Sequence, residues 1–175
     1  NKNYKIILNG TVLSLNKNYP KLYQDNYPNI VISATFRPHK RLIEAINIIN
    51  NLKKKFSKIK LHVIGSIDRL TQKKLNKINC ENIILHGFRD QKFMNLLYHN
   101  CNVGLSPSYL DPCPNSVVEM LSCGLPVITT TASGAFELVN YLEDFSVNED
   151  YKLDYIEIQS FDKIPSINIQ KWSNK

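Results

Sequence analysis

Short apolar segments alternate with helical segments along most of this chain, and that alternation limits the possible folds more than any other feature. Strands are predicted at residues 30–35, 61–64, 83–86, 103–106 and 126–130. Helices are predicted between and after them, at residues 42–56, 69–78, 93–98, 114–123 and 135–140. Strands that each lead into a helix are typical of parallel βαβ units with right-handed crossovers. We therefore predict an α/β fold in which helices flank a doubly wound parallel sheet.

The carboxyl ends of these strands are where a ligand is expected, because doubly wound sheets bind their ligands outside that edge. The loops that fall there are polar or contain glycine. They comprise residues 35–40, Gly65, Gly87 with Phe88, residues 106–116 and residues 130–134. The sequence thus predicts a functional site built from several loops that are distant along the chain.

The most specific pattern lies in residues 106–138, SPSYLDPCPNSVVEMLSCGLPVITTTASGAFEL. Asp111 follows an apolar strand, a helix is predicted to begin at Pro114, and Glu119 lies on that helix. A helix that starts after a strand and a polar loop suits a phosphate, because its first amides and its dipole attract anions. Carboxylates that flank the helix start would suit the hydroxyls of a sugar.

This segment resembles the donor-binding motif of retaining glycosyltransferases with the two-domain GT-B architecture, in particular family 4. The family motif has an acid, a later glutamate, a small-Gly-x-Pro-Val run and a glycine turn that ends in glutamate. In this chain the pieces are Asp111 followed by Pro-Cys-Pro, Glu119, residues 123–127 (CGLPV) and residues 134–137 (GAFE). The resemblance covers about residues 30–140.

The resemblance implies a Rossmann-like domain that binds a nucleotide sugar and forms one half of a GT-B fold. It implies transfer with retention of anomeric configuration to a glycan, lipid-linked or protein acceptor, as in polysaccharide biosynthesis. No cofactor and no obligatory metal are expected. The acceptor would bind to an N-terminal domain outside this chain, so the chain alone should bind the donor without turnover.

Three parts of the chain are predicted. Residues 1–27 would be an interdomain linker and lead-in segment, residues 28–147 the donor domain, and residues 148–175 a tail of uncertain structure. No run of residues is apolar enough over its length to span a bilayer. The whole protein is expected in the cytoplasm, and a peripheral association with membranes stays open.

Three residues are predicted to be catalytic on the basis of the resemblance. Arg37 and Lys40 would hold the donor diphosphate, and Asp111 would accept hydrogen bonds from the sugar hydroxyls. Thr35 stands where the family usually has an arginine. Either Arg37 takes over the role of that arginine, or the diphosphate loses a bidentate partner. Most members carry glutamate where Asp111 stands, so the sugar would have to sit closer. These residues also have purely structural interpretations. Arg37 and Lys40 would then lie in an exposed helix start, and Asp111 would belong to an ordinary Asp-Pro turn.

Four residues of the predicted motif helix are assigned to donor binding. Glu119 matches the glutamate that binds the ribose hydroxyls. Because its neighbours in the sequence are apolar, burying this carboxylate without a hydrogen-bond partner would cost free energy of folding. Pro114 stands where many members have glycine, and it suits a first helical turn but donates no N–H. The amides of Asn115 and Ser116 are therefore the predicted donors, although Asn115 could instead cap the helix.

Three further residues are candidate donor contacts. Gly87 and Phe88 match the family loop that holds the nucleotide base through backbone groups, although a glycine there equally suits a plain turn. Gly134 lies in a tight turn that either faces the donor phosphates or starts a helix, and the structural role is slightly favoured. The four histidines and four cysteines show no metal-binding pattern, so no metal site is predicted and reduced thiols are expected.

The chain is basic, with 22 Lys and Arg residues against 15 acidic ones and a formal net charge of +7. Such a surplus can attract nucleic acid, anionic lipid or a nucleotide diphosphate. Much of it lies between residues 37 and 77, where the lysine runs are also typical of a solvated helix face. Because Phe56 is the single Phe, Tyr or Trp among these lysines in the sequence, nucleic acid is not expected as a partner.

Other functions stay open at this stage. A nonenzymatic nucleotide-binding or scaffold module of the same fold would explain the departures at Thr35, Asp111 and Pro114. Another GT-B enzyme, such as a sugar-nucleotide epimerase or a phosphorylase, would keep the motif and differ in the absent domain. An RNA-binding domain is the last alternative, motivated only by the net charge.

Overall fold

The structure is a computed structural model, and it describes residues 10–11, 19–23, 27–139, 145–149 and 164–175. Most of the predicted lead-in segment and residues 150–163 of the predicted tail lie outside the described residues, as does Asn140 at the end of the last predicted helix. The division of the chain into three parts therefore stays a prediction. Within the described residues, no helix is long and apolar enough to cross a membrane.

Among the described residues, six parallel strands form one sheet in the order β3-β2-β1-β4-β5-β6. Their bounds are β1 Asn29–Ser33, β2 Lys60–Ile64, β3 Ile83–Gly87, β4 Val103–Ser106, β5 Val127–Thr130 and β6 Ser146–Val147. The chain runs outward from β1 to β3 and then returns to place β4 beside β1. The direction of winding reverses at that point, and such a reversal opens a crevice above the carboxyl ends of the two strands. The predicted doubly wound parallel sheet is confirmed.

In the part of the chain that the structure describes, six α-helices flank the sheet. Their bounds are α1 Leu42–Leu52, α2 Arg69–Leu75, α3 Gln91–Tyr98, α4 Asn115–Ser122, α5 Ala135–Val139 and α6 Ile169–Ser173. The predicted extension of the first helix to Phe56 is wrong, because the hydrogen bonds tighten after Leu52, where the Lys55 amide donates to the Leu52 carbonyl oxygen at 2.9 Å. Phe56 is 40% exposed instead of packing in the core. The second helix likewise ends at Leu75, three residues before its predicted end.

The core lies on both faces of the sheet, which explains why β1 is buried along its whole length. Ile30 and Ile32 belong to the cluster beneath α1, α2 and α6. Val31 points to the other face and packs with residues of α3, α4 and α5. A strand covered on both faces reads as a continuous apolar run, as the sequence of β1 does.

The C-terminal helix α6 and the short strand β6 were not predicted from the sequence. Asn168 caps α6, because its side-chain oxygen accepts the Lys171 amide at 3.0 Å. Trp172 is 2% exposed and packs in the cluster of α1, and the Asn51 side chain donates to Ser173 Oγ at 2.9 Å. The end of the chain is therefore docked on α1 as part of the core.

Candidate functional site

Three loops meet above the crevice between β1 and β4. Backbone hydrogen bonds tie them together: the Tyr109 amide donates to the His39 oxygen at 2.8 Å, and the Leu110 amide donates to the Ala132 oxygen at 3.0 Å. Leu110 adopts a left-handed conformation with φ of 51°, which turns the chain sharply before Asp111. The carboxyl ends of β1, β4 and β5 thus form one connected rim.

Lys40 and Asp111 form an ion pair across this crevice. Lys40 closes a 3-10 turn that begins at Pro38, in the loop that follows β1. The two side chains are 19% and 10% exposed, so the pair is largely shielded from water. The structure therefore brings two of the three predicted catalytic residues into direct contact.

Arg37 lies at the entrance of the same loop, where it is exposed to solvent. Its backbone is extended and it precedes the turn that carries Lys40. Its charge acts on His39: burial chiefly lowers the pKa of His39, and Lys40 and Arg37 lower it further while Asp111 opposes them. The loop thus presents two cations and a neutral imidazole, and sequence reasoning had not singled out that imidazole because it looked only for metal clusters.

Gly134 supports the Asp111 loop. Its amide donates to the Asp111 carbonyl oxygen at 2.8 Å, and Ser133 Oγ donates to the same oxygen at 3.1 Å. A Cβ atom at Gly134 would lie 1.7 Å from the Pro112 carbonyl oxygen, so only glycine permits this close approach. The structural role weighed for Gly134 has a physical basis, and its predicted contact with a donor stays a prediction.

The helix α4 begins one residue later than predicted. Pro114 is the buried N-cap residue rather than the first helical residue, and its carbonyl oxygen accepts the Val117 amide at 3.0 Å. Helix geometry leaves the first amides, those of Asn115 and Ser116, outside the intrahelical ladder. With the dipole, they form an N-terminus that can attract an anion at the end of the Asp111 loop.

Glu119 lies one turn further along α4. Residues three and four positions apart share a helix face, so Asn115, Ser116 and Glu119 lie along one side of α4. Glu119 is half-buried, and desolvation raises the pKa of its carboxyl group. No hydrogen bond or ion pair from any described residue satisfies this carboxylate. A partly buried acceptor without a partner is suited to bind hydroxyl donors from a ligand.

A separate open cavity of about 500 Å³ lies at the carboxyl ends of β2 and β3. Gly65, Gly87 and Phe88 line it, and Phe88 is 86% exposed. The Gly65 amide donates to the Gly87 oxygen at 2.8 Å, and a Cβ atom at Gly65 would lie 1.8 Å from the Ala34 oxygen. Gly65, which the sequence pattern supported only weakly, is thus required where β1 and β2 converge.

Arg41, the neighbour of Lys40, is fully buried, which the sequence did not predict for a loop that looked like an exposed helix start. Its backbone is left-handed, with φ of 54°. The guanidinium donates to both oxygens of Glu149 at 2.7 and 2.9 Å, to the Pro165 oxygen at 2.9 Å and to the Pro107 oxygen at 3.3 Å. Arg41 therefore fastens the cationic loop to the loop after β4 and to the C-terminal segment.

None of these groups forms a metal site. No cluster of three or more His, Cys, Asp or Glu side chains that could hold a metal ion occurs in the part of the chain that the structure describes. His62 and His86 contact each other at 3.0 Å between ring nitrogens. His62 is fully buried and its Nε2 lies 3.1 Å from the Asn29 side-chain oxygen, so this pair belongs to the packing of the sheet.

Comparison with known proteins identifies sequence relatives of this chain and structures that share its fold. Residues 15–150 match the sequence profile of the family described as glycosyl transferases group 1. An uncharacterized glycosyltransferase of Methanocaldococcus jannaschii is 30% identical over 119 residues, which is 66% of this chain and 29% of that protein. The chain thus spans less than a third of the length of this relative.

Solved structures share the fold. Anabaena HepE in complex with UDP-glucose matches 65% of this chain and 32% of its own, with a TM-score of 0.55 and 22% identity. The α,α-trehalose-phosphate synthase (UDP-forming) of Burkholderia xenovorans matches 70% of this chain and 33% of its own, with a TM-score of 0.59 and 15% identity. In both proteins the similar region is about a third of a longer chain.

Proposed function

Because the chain belongs to the glycosyl transferases group 1, we propose that it is the nucleotide-sugar donor-binding half of a retaining glycosyltransferase of family 4. The observation that carries the proposal is the Lys40–Asp111 ion pair in the crevice between β1 and β4. The pair brings a cation and a carboxylate together at the position where doubly wound sheets bind ligands, which supports assigning Lys40 to a diphosphate and Asp111 to a sugar.

The diphosphate is assigned to Lys40, Arg37 and the N-terminus of α4. When the bond between the sugar and the diphosphate breaks, negative charge builds on the leaving phosphate oxygen. Preorganised cations and helix amides stabilise such charge without having to reorient. In the ion pair Asp111 compensates the charge of Lys40. A bound donor would draw the ammonium group to its phosphates and leave the carboxylate to accept hydrogen bonds from the sugar.

The nucleoside is assigned to Glu119 and to the cavity beside Gly87 and Phe88. The unpartnered Glu119 carboxylate would accept hydrogen bonds from the ribose hydroxyls. The open cavity at the ends of β2 and β3 offers room for a base, with the exposed ring of Phe88 at its border. The relatives solved with UDP-glucose or named as UDP-forming make UDP the first nucleotide to test.

The complete reaction would require a second, N-terminal domain that binds the acceptor. This part of the proposal is supported by the comparisons, in which this chain matches about a third of the length of each solved relative. We propose that sugar is transferred in the cytoplasm, without an obligatory metal, to a glycan, lipid-linked or protein acceptor. This chain alone would bind the donor and would not turn it over.

Calorimetric titration with UDP, GDP and ADP, and then with their sugar conjugates, tests the proposal. We expect one of these nucleotides to bind. Lys40→Ala and Glu119→Ala should each lower the affinity for that nucleotide by at least about tenfold, as for a lost hydrogen bond to a charged group. Matched controls are Lys92→Ala and Glu81→Ala, which remove exposed charges from α3 and from the segment that leads into β3. Binding that is weakened equally by the control substitutions would refute the assigned site.

A nonenzymatic nucleotide-binding module of the same fold is the second candidate. It is favoured by Thr35, which is exposed where the family usually has an arginine. Transfer of a radiolabelled sugar by the longer protein that contains this chain separates the two functions. Donor binding with no transfer and no hydrolysis would favour the module, whereas epimerisation of the sugar would indicate another GT-B enzyme.

A further inference from the structure

We propose that the edge of the sheet opposite the donor site docks onto the surface of an anionic lipid bilayer. Seven lysines gather at this edge, and we call them the basic edge: Lys21, Lys53, Lys54, Lys55, Lys58, Lys60 and Lys77. The proposal does not depend on the proposed function, because it uses none of the residues of the crevice.

The topology explains why these lysines meet. In a parallel sheet all strands begin at one edge, so the segments that lead into the strands converge there. Residues 53–59 lead from α1 into β2, Lys60 is the first residue of β2, and Lys77 lies in the segment that leads from α2 into β3. Lys21 joins them because the neighbouring Leu22 amide donates to the side-chain oxygen of Asn100, which follows α3, at 2.6 Å.

The basic edge has little negative charge to offset it. Its described segments are residues 19–23, 27–28, 53–60, 76–82, 99–102 and 123–126, and Glu81 is their single carboxylate. Glu81 pairs with Lys53, which leaves six lysines in excess. Each lysine close to an anionic bilayer strengthens binding by about fivefold. A patch of this size is therefore sufficient for reversible attachment.

Two exposed apolar side chains accompany the lysines. Leu22 is 41% exposed and Phe56 is 40% exposed, and both lie in segments of the basic edge. The Lys55 ammonium lies 5.4 Å from the centre of the Phe56 ring. Lysines around short apolar anchors are typical of surfaces that lie in the headgroup region, where the apolar group inserts and the ammonium groups contact phosphates.

The aromatic rings at this edge argue against RNA. The Lys58 ammonium covers the Tyr27 ring at 4.4 Å and donates to its hydroxyl at 2.6 Å, and the Lys60 ammonium lies 5.8 Å from the Tyr23 ring. The cation over Tyr27 occupies a ring face on which a base would stack, and such stacking is the main contact of single-stranded RNA with proteins. All seven cations are lysines, which bind phosphate as point charges and lack the planar fork that reads bases.

Co-sedimentation with vesicles tests the proposal on the chain itself. We expect binding to vesicles of phosphatidylcholine mixed with phosphatidylglycerol, and little binding to phosphatidylcholine alone. The triple variant Lys54→Gln, Lys55→Gln, Lys77→Gln should bind at least about tenfold more weakly, because three exposed charges are lost. The matched control, Arg69→Gln, Arg89→Gln, Lys92→Gln, removes three exposed charges from the opposite edge and should bind as the unchanged chain does.

Two further measurements complete the test. The variant Leu22→Ser, Phe56→Ser keeps every lysine, and we expect it to bind more weakly at high salt, where apolar insertion contributes a larger share of the affinity. Equal binding to both kinds of vesicle, or equal loss in both triple variants, would overturn the proposal. Competition in which single-stranded RNA displaces the chain from vesicles at an equal phosphate concentration would assign the basic edge to RNA instead.

Discussion

The Lys40 ammonium group lies against the Asp111 carboxylate, although 71 positions separate the two residues in the chain. They meet because β1 and β4 are neighbours in the sheet. In this pair each charge compensates the other. Under the proposed function, donor binding would exchange the ion pair for contacts with the diphosphate and the sugar, so we expect the two partners to respond differently to substitution.

We expect Asp111→Asn to keep or increase the affinity for the free nucleotide diphosphate, because Lys40 then has no competing carboxylate. The preference for the sugar conjugate over the free nucleotide should fall by about tenfold, as for a lost hydrogen bond to a charged group. Calorimetry with UDP and a UDP-sugar measures both quantities. Loss of affinity for UDP equal to that for the conjugate would contradict the assignment of Asp111 to the sugar.

We expect Glu119→Gln to weaken the free nucleotide and its sugar conjugate to the same extent, because the ribose is common to both. The same change should leave the fold intact or raise its melting temperature. Burial disfavours the charged form of Glu119, so a neutral side chain removes a desolvation cost. Calorimetry and thermal unfolding of the same variant measure the two effects, and a lower melting temperature would indicate a structural role instead.

The buried His62 makes stability depend on pH. Burial, followed by His86 and Lys60, lowers the pKa of His62 from 6.5 to about 4. Between these two pH values the unfolded chain binds a proton at His62 and the folded chain does not. The free energy of unfolding therefore decreases as the pH falls from about 6.5 to about 4, by up to about 3 kcal/mol. Burial lowers the pKa of His86 as well, so it acts in the same direction.

Urea unfolding at a series of pH values measures this dependence. His62→Asn should flatten the slope between about pH 6.5 and about pH 4. The control His99→Gln leaves the contact between His62 and His86 in place and should keep the slope. A slope that persists unchanged in His62→Asn would assign the acid sensitivity to other groups.

We expect Gly134→Ala to weaken donor binding although alanine adds only one methyl group. The new Cβ atom would lie 1.7 Å from the Pro112 oxygen, so the Asp111 loop must move. Overpacking of this kind costs about 1–3 kcal/mol of the free energy of unfolding. Gly10→Ala is the control, because a Cβ atom there meets nothing within 4 Å. Wild-type affinity and stability in Gly134→Ala would show that the loop adapts freely.

Glu149→Ala tests the support of the cationic loop. The substitution leaves the fully buried Arg41 without its carboxylate, and breaking a buried ion pair in this way costs about 3–5 kcal/mol. Chemical denaturation measures this loss. A matched surface change, Glu81→Ala, removes the partner of the exposed Lys53 and should cost less than about 1 kcal/mol. Equal effects of the two substitutions would contradict the special role of Arg41.

The sequence predicted the sheet and most helices because periodicity and strand–helix alternation are local properties. It failed where packing decides: Phe56 continues the helical spacing of α1 but lies beyond the point where the helix unwinds. The short helix α6 has a polar sequence, and its single buried anchor, Trp172, gives no periodic signal. Lys40 and Asp111 were each named as site residues, but their contact depends on the strand order, which the sequence pattern does not specify.

The anchoring of Arg41 shows where this protein can and cannot be shortened. Its partner Glu149 lies beyond residue 147, where the predicted donor domain ends, and its partner Pro165 lies beyond residue 150, where the family match ends. A recombinant fragment that stops at residue 147 would lose Glu149 and Pro165, and one that stops at residue 150 would lose Pro165, so in both the guanidinium loses part of its support. Borders drawn from sequence similarity therefore cut through one cooperative unit, and any shortened version of this protein should extend through α6.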